Sequence, residues 1–164
     1  MKRKQLLALR ILLIFLTIAV MVVIFMLSAD NADESNAKSA LISDSLIYRI
    51  LSSFDWNEEQ IEQIASVTVF IVRKTAHFSE YAALGFLLAG VCLSFGRQYG
   101  FAFAVSQTVA SLYAVSDEIH QYFVPGRSCQ FSDMLLDSCG AAVGIGVLLL
   151  IVWLIRRRRR CAPQ

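Results

Sequence analysis

The chain has 164 residues, of which 57% are hydrophobic and 17% charged, with a net charge of +2. A water-soluble domain of this size is not so apolar, and the apolar residues run in long blocks instead of recurring at helical spacing, so the chain reads as an integral membrane protein. A bilayer core of about 30 Å needs about 20 apolar residues in a helix, and unsatisfied backbone groups are not permitted in lipid, which leaves helices as the spanning elements.

Four stretches have the length: Leu6 to Leu27, about Val67 to Phe95, Phe101 to Phe123 and Met134 to Ile155. The expected fold is an all-α integral membrane bundle of four transmembrane helices forming one domain. Basic residues set its orientation. Lys2, Arg3, Lys4 and Arg10 precede or open the first stretch, Arg97 lies between the second and third, and Arg156 to Arg160 follow the fourth, so ten of the fifteen basic residues fall on one side. By the positive-inside rule that side is cytoplasmic, with both termini there. The arginine tail is expected to contact anionic lipid heads and not nucleic acid. The first apolar run is longer than the 7 to 15 residues of a signal-peptide core and is expected to remain as an anchor.

The connection from Ser28 to Ser66 carries eight acidic residues against Lys38 and Arg49 and should face outward. Within it Ile42, Leu46, Ile50 and Phe54 recur every fourth residue, the pattern of an amphipathic helix lying on the membrane or on the bundle. Asn57 followed by Glu58, Glu59 and Gln60 has the form of a helix N-cap with its capping-box partner. From Glu58 to Phe95 a single helix would exceed the bilayer, so a break or protruding turn is expected near Ala65 to Val69. Cys92, Cys129, Cys139 and Cys161 have no CxxC or CxxH spacing; no disulfide framework, metal site or cofactor follows from them.

Chemistry begins in the second stretch. Arg73, His77, Glu80, Tyr81 and Leu84 share one helical face, with Lys74 on its flank. Charged groups are costly in a membrane helix, so this stripe must turn to partners inside the bundle, either as a structural ion-pair ladder or as a site. Tyr113, Asp117 and Gln121 share a face at the end of the third stretch, flanked by Glu118 and His120, at the level where the second stretch begins. A histidine beside a carboxylate is suited to proton transfer. The turn Val124-Pro125-Gly126-Arg127 needs a positive-φ glycine and holds Arg127 at a fixed point, where a guanidinium can grip a phosphate or carboxylate or pair with Asp117 or Asp133. Ser132 or Asp133 is expected to cap the last helix, on which Asp133, Asp137, Gly140 and Gly144 form one stripe, acidic at its outer end and small below.

The blocks Arg73-Lys74-Thr75-Ala76-His77-Phe78-Ser79-Glu80-Tyr81 and Ser116-Asp117-Glu118-Ile119-His120-Gln121-Tyr122-Phe123-Val124-Pro125-Gly126-Arg127, followed by Asp133, Asp137, Gly140 and Gly144, resemble the VanZ-like family. The resemblance implies a small multi-pass protein of the bacterial cell membrane, and for founding members a contribution to teicoplanin resistance. It brings motif positions (Lys74, His77, Tyr81, Asp117, Glu118, Gln121, Arg127, Asp133 and Asp137) but no catalytic roles. Two readings follow. In one, a charged site at the outer face binds a membrane lipid head group, an envelope precursor or a glycopeptide-related ligand, with Arg73, Lys74, Tyr81, Asp117, His120, Gln121, Arg127, Asp133 and Asp137 as binding groups. In the other, an outer-leaflet enzyme uses His77 and Glu118 as acid and base, with Arg127 and Lys74 as anion clamp. No serine with a matching base is spelled out. A proton pathway is disfavoured because the inner halves offer only Ser94, Ser106, Gln107 and Thr108.

Overall fold

The computed structural model describes residues 3–30, 37, 40 and 57–161. All of its elements there are α-helices: α1 (Arg3–Ser28), α2 (Glu58–Ser94), α3 (Tyr99–Tyr122) and α4 (Phe131–Cys161). The segments Arg3–Ser28, Gln63–Ser94 and Phe131–Arg159 are long and apolar enough to cross a membrane. Helix α3 has the length, but Ser106, Gln107, Thr108 and its charged C-terminal end dilute its apolar character. The amphipathic stretch expected around Ile42 to Phe54 lies outside the described residues.

Helix α2 starts as its sequence dictates. The Asn57 side chain accepts from the Gln60 N–H at 2.9 Å, and the Gln60 side chain accepts from the Asn57 N–H at 3.2 Å, closing a capping box. The expected break near Ala65 to Val69 does not occur. The helix runs unbroken for 37 residues, about 56 Å at about 1.5 Å per residue. Neither glycine nor proline interrupts it before Gly85, and the polar side chains in the doubtful stretch bond back to their own helix, Ser66 Oγ to the Gln63 carbonyl and Thr68 Oγ1 to that of Ile64. Excess length projects beyond the apolar segment instead of folding over.

Helices α2 and α4 form the main seam. A methyl group at Gly140 would overlap the Phe78 carbonyl, at Gly144 that of Ala82, and at Gly85 that of Ala141, so three missing side chains set the approach. Tyr81, Leu84, Ala141 and Ile145 are fully buried along it. Helix α3 packs its alanines, Ala102, Ala110 and Ala114, inward, and Gln107 donates to the Ser138 carbonyl of α4 at 3.0 Å. Two of the four polar residues singled out away from the charged clusters are thus engaged in packing, Gln107 and also Ser106, whose hydroxyl meets Cys92 Sγ at 3.7 Å. Helix α1 is attached through Ile24, through the Tyr113 hydroxyl donating to the Met21 carbonyl at 2.6 Å, and through Phe25 stacked on His120 with ring centroids 4.5 Å apart.

The two ends of the bundle differ. At one, Arg10 of α1 donates twice to the Ser94 carbonyl ending α2, at 2.9 and 3.1 Å, and lies over the Phe95 ring; Arg156 of α4 lies over Tyr99 of α3. The opposite end holds the polar clusters of α2, α3 and α4.

Candidate functional site

At that polar end a cavity of about 110 Å³ is lined by Arg73 and His77 of α2, Gln121 of α3, Gly126, Arg127, Ser128 and Gln130 of the connecting turn, and Asp133 of α4. Helix α2 thus faces the continuous stretch from the end of α3 through the turn to the start of α4, more than forty residues further along the chain. Five residues singled out in the sequence, Arg73, His77, Gln121, Arg127 and Asp133, meet here.

The turn is built as its sequence requires. Gly126 has φ of 77°, and the Arg127 N–H donates to the Val124 carbonyl at 3.2 Å, closing a proline–glycine turn that fixes Arg127. Among the described residues, the Arg127 side chain has no hydrogen-bonded carboxylate. Burial and then the neighbouring Arg73 charge pull its pKa below the ordinary guanidinium value, while Asp117, Asp30 and Glu118 pull it upward. A guanidinium remains charged throughout. Its half-buried positive charge is therefore balanced by carboxylates at a distance and held beside a second cation.

Helix α4 begins two or three residues earlier than a cap at Ser132 or Asp133 would place it. The Gln130 carbonyl accepts from the Asp133 and Met134 N–H groups, so Ser132 and Asp133 sit inside the first turn and do not cap it. The capping site falls on Gln130 because that residue is itself anchored from outside the helix: its N–H donates to Glu118 Oε2 at 2.9 Å. Displaced from the cap, Asp133 is available to Lys74, with which it forms an ion pair while exposing about a fifth of its side chain.

Beneath the cavity lies a buried polar layer. Asp117, Glu118 and Asp137 are almost fully buried, as is Tyr81. Gln121 donates to Asp117 Oδ2 at 3.2 Å, and the hydroxyls of Ser28 and Tyr81 stand beside the same carboxylate. Asp137 is surrounded by Asp117, Glu118, Asp133 and Glu80, and neither of its oxygens has a hydrogen-bond partner among the described residues. His120 lies against α1, away from the cavity lining. The two histidines, which look alike in sequence, are thus placed differently: His77 faces the cavity, and its Nδ1 has no protein partner among the described residues. Glu118 lies outside the lining. No group of three His, Cys, Asp or Glu side chains among the described residues is arranged to hold a metal ion.

Sequence reasoning passed over Ser28, Gly85 and Gln130. Gly85 sits in α2 with no repeat to flag it, though a glycine within an apolar span is a packing signal in itself. Gln130 and Ser28 had no such signal, since their roles depend on carboxylates supplied by α3.

A model of the VanZ/LLP1 family matches residues 13–154, a range that contains every residue of the cavity and of the layer beneath it. The chain belongs to the VanZ/LLP1 family. No match was found among curated proteins or among solved structures. Membership, with its apolar helices, makes this VanZ/LLP1 chain a membrane protein.

Proposed function

We propose that this chain is a four-span protein of the bacterial cell membrane, with cytoplasmic termini, whose outward-facing cavity binds the small anionic group of a lipid head or envelope component. The orientation rests on the basic residues gathered at the opposite end. Helix α3, with about 24 residues, completes the fourth span, its polar outer end shielded by its neighbours. The observation that carries the binding reading is the convergence of Arg73 and Arg127 on one cavity, with Arg127 lacking a bonded carboxylate among the described residues. A fork of guanidinium donors on a rigid turn suits phosphate or carboxylate.

Size narrows the ligand. Drug-sized molecules occupy roughly 300–1,000 Å³, so the cavity takes a phosphate-sized group and not a whole glycopeptide. Any effect on teicoplanin tolerance in the host is then exerted through the envelope component and not by capture of the antibiotic.

A second reading keeps one specific support. His77 lines the cavity, so in this reading its imidazole exchanges a proton with a bound anion, Arg127 and Lys74 hold the substrate, and Glu118, which lies outside the lining, acts from the layer beneath.

The test for binding titrates the purified protein with glycerol 3-phosphate and reads its thermal stability. A saturable rise in melting temperature is expected, lost in Arg127→Ala and weakened in Arg127→Lys, because a point charge replaces a two-pronged donor. Equal response of wild type and Arg127→Ala would end the anion reading. Mass-spectrometric profiles of lipids, teichoic acid and peptidoglycan with and without the protein decide between binding and catalysis: a new or missing species supports the enzyme.

A further inference from the structure

A second hollow adjoins the cavity. On the outward flank of α2, Phe70, Ile71, Lys74, Thr75 and Phe78 form a groove with Leu136 of α4, about 220 Å³ in volume and walled almost entirely by apolar atoms. Phe70 and Ile71 are more than half exposed, so this groove opens sideways, where the bilayer lies. The two hollows share a wall. Asp133 lines the cavity, Lys74 lines the groove, and the ion pair between them is the partition, with the Lys74 ammonium 5.3 Å from the Phe70 ring centroid. A polar chamber with two guanidiniums and one carboxylate and an apolar trough thus meet at a third cation.

We propose that these are the two halves of one lipid site: the phosphate of an anionic phospholipid enters the cavity, and the first part of an acyl chain lies in the groove, crossing at Lys74. The proposal rests on the anion-binding reading of the cavity and adds the kind of molecule that carries the anion. Charge and polarity both select it. A soluble anion has no use for the trough, and a neutral lipid has none for the guanidiniums. An anionic lipid matches both, and its phosphate arrives at Lys74 as a competitor for the Asp133 pairing, which links occupation of the cavity to opening of the partition.

The physics of the bilayer assigns the halves different tasks. Moving an acyl chain from lipid into a groove removes no apolar surface from water, so the groove adds packing but no hydrophobic driving force. Affinity therefore resides in the cavity and chain placement in the groove. Changes in the two hollows should have separable effects.

The test uses the full chain in phosphatidylcholine nanodiscs containing a small fraction of phosphatidylglycerol with a photoreactive diazirine on its acyl chain. After illumination, peptide mapping is expected to place the adduct on α2 between residues 70 and 78 or on Leu136, enriched at least fivefold over the exposed face of α1. Arg127→Ala should reduce this adduct at least fivefold. Leu136→Trp, which fills the groove, should redistribute it while leaving the stabilisation by glycerol 3-phosphate unchanged; Phe70→Ala, which widens the groove, provides the same comparison if the larger residue impairs folding. A phosphatidylcholine probe with the same chain should label the lipid-facing helices evenly. Even labelling by the anionic probe, with the glycerol 3-phosphate response intact, overturns the lipid proposal but spares the anion site. Loss of both responses overturns both.

Discussion

The seam between α2 and α4 and the polar chamber directly beyond it share these two helices, and α4 runs through seam, buried layer and chamber with one stripe, Asp133, Asp137, Gly140 and Gly144. Along the glycine half, backbones touch because side chains are missing. Along the acidic half, side chains are present, the connecting turn contributes Arg127 and Gln130, and a hollow opens. The tight half fixes the axial position of α4 against α2, and with it the register of Asp133 with Lys74 and of the turn with Arg73 and His77. Precision in the open half is supplied from the closed one.

The largest test of that dependence is Gly144→Ala. Its methyl group meets the Ala82 carbonyl with no flexible side chain to yield, and overpacking of this kind costs about 1–3 kcal/mol or more. Thermal unfolding in detergent should show the loss, and the glycerol 3-phosphate response should weaken with it. Gly146→Ala, two residues on and facing open space, should leave both within error or slightly improve stability. Equal behaviour of the two variants would separate chamber from seam.

A middle-sized effect is expected at Glu118. Glu118→Ala removes a buried acceptor and leaves the Gln130 N–H without its partner, a loss of about 1–3 kcal/mol. Glu118→Gln keeps an oxygen for that N–H and should recover most of the stability. It also separates the functional readings: a binding site survives the change, whereas an enzyme that uses this carboxylate as a base loses its turnover. The smallest effect belongs to α1. Tyr113→Phe deletes the hydrogen bond to the Met21 carbonyl and should cost about 0.5–1.5 kcal/mol, read as a lower melting temperature with the anion response unaltered.

The sequence reveals a feature wherever periodicity or turn chemistry is its cause. The capping box at Asn57, the positive-φ Gly126, the inward stripe of α2 and the small residues of α4 all follow from local rules. The expected break near Ala65 to Val69 fails because length alone suggested it, while the local residues, free of glycine and proline, favour continuity. The start of α4 shifts because capping was decided by a tertiary contact, Gln130 with Glu118, that no local pattern encodes. The sorting of polar residues is likewise tertiary. His77 and His120 have equivalent local settings, and only the arrival of α1 commits one to Phe25 and leaves the other at the cavity. The pairing of Lys74 with Asp133 spans 59 positions and is set by helix register.

The uninterrupted course of α2 has a mechanical result. From the cap at Asn57 to Arg73 is about 24 Å of helix at about 1.5 Å per residue, without a joint. A hinge would absorb a push or twist applied at the capped tip. A stiff rod delivers it to the guanidinium and imidazole on its shaft, so whatever leans on that tip also moves the walls of the chamber.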